Sequence, residues 1–163
     1  MKKIILLIIS TIALASCSKD NTGSLPEPDN NKVTFSYSNF DQTDGVATFE
    51  LGESGNNLYI ALEHIDGTSV NGFIDVQLGD YKGPGTYNFG DNVSVRAMQN
   101  NVTGYWNSYF YENDEVQYAT GIVKVKSLNN DRIVAEIDGK LYHTDENGNR
   151  SETTVKASID HFR

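Results

Sequence analysis

Tyr105, Trp106, Tyr109, Phe110 and Tyr111 fall within seven consecutive residues, and Tyr118 follows closely. Aromatic rings with a polar handle form platforms for sugars and other amphipathic ligands when they reach a surface. Read as one strand, the segment points Tyr105, Tyr109 and Tyr111 one way and Trp106 and Phe110 the other. One set can then serve a core while the other lies on a surface, against a second layer or in a cavity. Burial on both sides is the alternative. This run holds the candidate ligand-binding residues.

Acid–base and metal chemistry find weaker footing. His64, His143 and His161 are the only histidines. A hydrolase triad needs a nucleophile, a base and an orienting acid brought together, and no serine sits in a Gly-x-Ser-x-Gly elbow. Asp41 with Asp44, and Glu112 with Asp114 and Glu115, offer paired carboxylates for glycosidase work. They fall in expected turns, where acidic side chains cap backbone groups. Residues 145–149 superficially resemble a calcium loop, yet Arg150 and Lys156 stand where an EF-hand needs Gly and Glu. The expectation is a non-enzymatic protein with no cofactor and no metal site.

The elements that position these residues alternate at the strand period. Val33, Phe35 and Tyr37 alternate with polar residues, as do Ala47, Phe49 and Leu51. Leu58, Ile60 and Leu62 form a further face, followed by Ile74, Val76 and Leu78, and then Val93, Val95 and Ala97. Turn residues separate the runs, including Gly83, Pro84 and Gly85, where Pro84 pre-sets φ. About nine or ten strands fit over residues 32–163. Their spacing predicts an all-β fold, either an antiparallel β-sandwich or a lipocalin-like β-barrel.

The last hairpin can be placed in register. Ile133, Ala135, Ile137 and Leu141 form the apolar face of one strand, and Val155, Ala157 and Ile159 that of the next. Paired residues share a face, so their numbers must sum to an even value. A two-residue turn at Asn147 and Gly148 breaks this parity. A three-residue loop of Glu146, Asn147 and Gly148, with Gly148 at positive φ, restores it. Ile137 then faces Ala157, Ala135 faces Ile159, and Asp138 meets Lys156 on the outer face. His143 and His161 fall at opposite ends of this hairpin.

The 163 residues carry 13 basic and 22 acidic side chains, a net charge of −9. That balance excludes nucleic acid as a partner, since phosphate neutralisation needs clustered basic groups. The single Cys excludes intramolecular disulfides. That residue, Cys17, follows Leu14, Ala15 and Ser16, after Lys2, Lys3 and an apolar run over residues 4–14 too short to span a bilayer. The segment resembles a bacterial lipoprotein signal with its lipobox. The resemblance implies removal of residues 1–16 and lipidation of Cys17. Residues 17–31 then form a lipidated, flexible tether with two prolines. Residues 18–31 reach at most about 46–50 Å.

Ser18 beside the lipid Cys resembles an outer-membrane sorting signal, and Lys19 with Asp20 resembles the export signal of Bacteroidota surface lipoproteins. Display on the cell exterior is implied, with the periplasmic face of the outer membrane as the alternative. The run from Tyr81 through Gly83, Pro84, Gly85 and Thr86 to Tyr87 resembles small Bacteroidota lipoproteins of uncharacterised function. So does the pattern from Gly121 to Phe162. Those proteins carry a Gly-x-Gly-Thr-Tyr turn and a C-terminal hairpin, and they supply no catalytic residues. The expectation is a lipid-anchored binding or accessory module for a glycan or small amphipathic ligand. A structural or protein-interaction subunit of an envelope complex is the rival, and a hydrolase of surface polymers a third reading.

Overall fold

A computed structural model describes residues 32–35, 46–53, 56–66, 69–98 and 104–163. The expected signal segment, Cys17, the tether, Asp41 and Asp44 lie outside the described residues. The fold is all-β, as expected from the alternation. Twelve strands are described: β1 (Lys32–Phe35), β2 (Val46–Leu51), β3 (Leu58–Asp66), β4 (Ser69–Leu78), β5 (Gly85–Asn88) and β6 (Val93–Met98), then β7 (Trp106–Asn107), β8 (Tyr109–Glu112), β9 (Glu115–Tyr118), β10 (Gly121–Leu128), β11 (Arg132–Thr144) and β12 (Arg150–Phe162).

Ten strands form one strongly curled antiparallel sheet, a half-barrel, eight of them in the order β1-β12-β11-β7-β6-β4-β3-β2. The sheet forks at β11. Tyr142 of β11 pairs with Asn107 of β7, while the earlier part of β11 pairs with β10, whose far edge takes β5. β8 and β9 form a separate two-stranded hairpin. At the other end Arg163 donates to the Phe49 carbonyl at 2.6 Å and lays its guanidinium on the Phe49 ring. His161 meets the same ring edge-on. The end of β12 is thereby strapped to β2.

The core follows the alternation. Leu62, Ile74, Ala97 and Trp106 are neighbours across β3, β4, β6 and β7, and all are buried. Ile60, Val76 and Val95 form the next buried row. β10, β11 and β12 add Val123, Val125, Ile133, Ile137, Leu141, Val155 and Ile159. Burial of these side chains is the main favourable term, at about 1.5–3 kcal/mol for each large one.

The hairpin register is the one parity requires. Ile137 pairs with Ala157, Ala135 with Ile159, and Leu141 with Thr153. Gly148 has φ 82°. On the outer face Lys156 Nζ lies 3.3 Å from Asp138. The aromatic run departs from expectation. It is not one strand, because the chain leaves β6 at Ser108 and β8 starts a new hairpin with β9. That break separates Trp106 from Tyr109, Phe110 and Tyr111.

Candidate binding groove

The face of the curled sheet turned away from the core carries a second set of rows. Thr48, Ala61, Asp75, Arg96 and Asn107 follow one another across β2, β3, β4, β6 and β7. Glu50, Tyr59, Gln77 and Ser94 form the next row. Together with Tyr109 and Arg163 they line an open groove of about 660 Å³. That volume lies within the range of small-ligand sites. Strand alternation explains the arrangement: residues that cannot serve the core face must stand on this one.

Arg96 sits at the centre of the row. Its Nη2 donates to Asp75 Oδ2 at 2.6 Å. The same guanidinium lies 5.4 Å from the centre of the Phe73 ring and 5.1 Å from that of Tyr105. The hydrogen bond to Asp75 holds the Arg96 pKa above its usual range, and the Tyr105 and Tyr109 hydroxyls add to it. Asp75 is thus held by a cation through Oδ2. Tyr59 and Tyr109 are both exposed and line the groove.

The sequence-predicted site residues divide into three groups. Tyr109 lines the groove, and Tyr105 stands exposed beside it on Arg96 and Phe73. Tyr111, on the β8–β9 hairpin, is the most exposed of the large hydrophobic side chains among the described residues. Trp106 and Phe110 are taken by packing. Trp106 is only 4% exposed, in the core, with the His143 ring 5.6 Å away. Phe110 packs edge-on against Tyr142 at 4.7 Å, with the Arg150 guanidinium over its own ring at 4.1 Å. Parity in sequence placed Trp106 and Phe110 on one face. The break at Ser108 removes that common face, so the two rings serve different layers.

Tyr59, Gln77, Ser94 and Asn107 escaped the sequence reading. Each is the polar partner in an alternating strand, and polar alternation alone does not distinguish a solvated face from a groove. Phe73 and Tyr59 were the available signal, being aromatic residues at positions where the alternation calls for outward side chains.

The other chemical candidates resolve into local structure. Asp145 Oδ1 accepts the amides of Asn147 and Asn149 at 2.9 and 2.8 Å, and Oδ2 accepts the Asn149 side-chain amide. These bonds, led by the Asn149 side chain, hold the Asp145 carboxyl below its ordinary range. Residues 145–149 therefore form a self-capped turn. Asn113 and Asp114 both have positive φ, the two-residue turn of a tight hairpin flanked by Glu112 and Glu115. The Tyr87 hydroxyl donates to the Gly83 carbonyl at 2.5 Å and accepts the Lys82 amide, so the Gly-Pro-Gly segment is a tied turn. Among the described residues no three His, Cys, Asp or Glu side chains gather at metal-binding distance. The chain matches no protein-family model, no curated protein and no solved structure.

Proposed function

We propose that this protein is a lipid-anchored outer-membrane module, tethered through Cys17, that binds a glycan in the groove over β2, β3, β4, β6 and β7 without transforming it. One observation carries this reading. The groove sets the exposed rings of Tyr59 and Tyr109 beside an amide-, hydroxyl- and carboxylate-lined floor of Gln77, Asn107, Ser94 and Asp75. A pyranose presents an apolar C–H face and a rim of hydroxyls, and this pairing answers both. The Asp75 carboxylate is committed to Arg96, which suits an acceptor of ligand hydroxyls better than a proton donor. A lipid anchor near the cell exterior supports the same role, since it would place the groove where extracellular polymers arrive.

The test is a titration of the full chain in detergent with neutral oligosaccharides, read by calorimetry. Tyr59→Ala and Tyr109→Ala should each weaken binding by about tenfold, or about 1.4 kcal/mol. Both residues are surface-exposed, so the variants should fold. No binding by the parent chain, or affinity unchanged in both variants, would overturn the proposal.

A further inference from the structure

Beyond the groove, the β8–β9 hairpin presents a second aromatic face. Tyr109 pairs with Tyr118 and Tyr111 with Val116, so these four side chains share one side of the hairpin. All four are exposed, Tyr111 at 68%. The opposite side is spent on anchoring. Phe110 packs on Tyr142, and Arg150 lies over Phe110 and 3.7 Å from Glu112. The Tyr118 hydroxyl donates to Asp91 Oδ1, in the turn between β5 and β6. The hairpin is therefore held down from two directions while its tyrosines face water.

Tyr109 belongs to both surfaces. It lines the groove and meets the Tyr111 ring edge-on at 6.2 Å. The aromatic surface thus continues from Tyr59 and Tyr109 onto Tyr111 and Tyr118. Charge narrows the occupant. Asp91, Glu112, Asp114 and Glu115 are exposed around the hairpin, and Glu50 is exposed in the groove. The nearby cations Arg96 and Arg150 are engaged with Asp75 and Glu112, and the Arg163 guanidinium at the groove bonds the Phe49 carbonyl. A polyanion would meet Glu50, Asp91, Asp114 and Glu115 with Arg163 alone set against them.

Resting on the glycan reading of the groove, we infer that the ligand is an uncharged polysaccharide chain several units long, which runs out of the groove across Tyr109 onto Tyr111 and Tyr118. Each further ring covered adds contact area, so affinity should climb with chain length until the hairpin is covered.

The experiment titrates the full chain in detergent with neutral ladders of β-linked and α-linked glucans, from disaccharide to octasaccharide, and with polygalacturonate. The expected result is affinity rising about tenfold or more from the shortest to the longest member of one ladder. Tyr111→Ala should flatten that rise and cost the disaccharide far less affinity than Tyr109→Ala does. Equal affinity at all lengths with loss in Tyr109→Ala would overturn this inference and leave the groove reading standing. Length dependence untouched by Tyr111→Ala would overturn the assigned path. Tighter binding of polygalacturonate would overturn the uncharged class. No binding to any ladder would remove both the inference and the groove reading.

Discussion

The Ser108 hydroxyl accepts the Val95 amide at 2.9 Å, while the Ser108 amide donates to the Val95 carbonyl at 2.8 Å. In an ordinary antiparallel pair both bonds are backbone to backbone. Here the side chain replaces the carbonyl, and the freed Ser108 carbonyl accepts the Ala119 amide at 2.8 Å. Fully buried Ser108 thus joins β6 to the segment after β9. This one side chain lets the chain leave the sheet and carry Tyr109 to the groove.

Removing that hydroxyl should be costly out of proportion to its size. Ser108→Ala leaves the buried Val95 amide without its acceptor, a loss of about 1–3 kcal/mol. Urea unfolding should show a lower midpoint with an unchanged slope. A midpoint equal to the parent's would show that the ladder closes without Ser108.

Gly121 and Gly139 face each other across β10 and β11, and the Phe89 ring covers both. A Cβ on Gly121 would stand 2.2 Å from Phe89 Cε2, and one on Gly139 only 2.7 Å from the Gly121 Cα. The glycine pair makes room for the ring where the sheet forks. Gly139→Ala must displace backbone as well as ring and should cost about 1–3 kcal/mol as an overpacked site. Phe89→Ala is costly by itself, yet the double variant should lose less than the two single losses together, because it removes one of the two clashing groups. Additive losses in the double variant would contradict this packing.

The register of β11 and β12 was legible because two long apolar faces and one Asn-Gly turn leave a single parity. The same reasoning failed at 105–111. Alternation there assumes an unbroken strand, and nothing in a serine between aromatic residues announces that its hydroxyl will enter the ladder. Of the groove lining, Tyr109 stood out by type, whereas Gln77, Ser94 and Asn107 come together there only through neighbours far away in sequence.

Four carboxyls with lowered pKa values set the acid response. Lys126 holds Glu136 down, Lys140 and then Tyr142 hold Glu152, Arg132 holds Asp160, and the 145–149 turn holds Asp145. Each is lower folded than unfolded, so the unfolded chain binds more protons as pH falls. The stability these groups contribute is complete above the ordinary carboxylate range near pH 4 and is lost as pH drops through the depressed folded values. Urea midpoints should therefore fall between about pH 5 and pH 2. Asp160→Asn, which keeps one acceptor but loses the charge and one of the two 2.8 Å bonds to Arg132, should be less stable at neutral pH and less sensitive to acid. A flat midpoint over that range would contradict the assignment.

Trp106 is the only tryptophan, and its burial makes it a reporter of the core. Its emission should be blue-shifted and resist iodide quenching, then move red in one step on unfolding. A quenchable, red-shifted signal in the folded chain would place Trp106 in water and contradict its place in the core.

Arg96 separates groove function from fold. Its pair with Asp75 is solvent-exposed, with side chains 52% and 38% accessible, and such pairs contribute about 0–1 kcal/mol. Arg96→Lys keeps the charge and loses the planar fork that bonds Asp75 while lying against Phe73 and Tyr105. Unfolding midpoints should then barely move, yet Asp75 and Tyr105 lose the group that fixes their positions. Oligosaccharide affinity should fall by about tenfold, which corresponds to 1.4 kcal/mol. Asp75→Asn keeps an acceptor at the same place and should lose less. Equal affinity in parent and Arg96→Lys would mean that the ligand does not use the floor of the groove, and binding would then have to rest on the tyrosine rings alone.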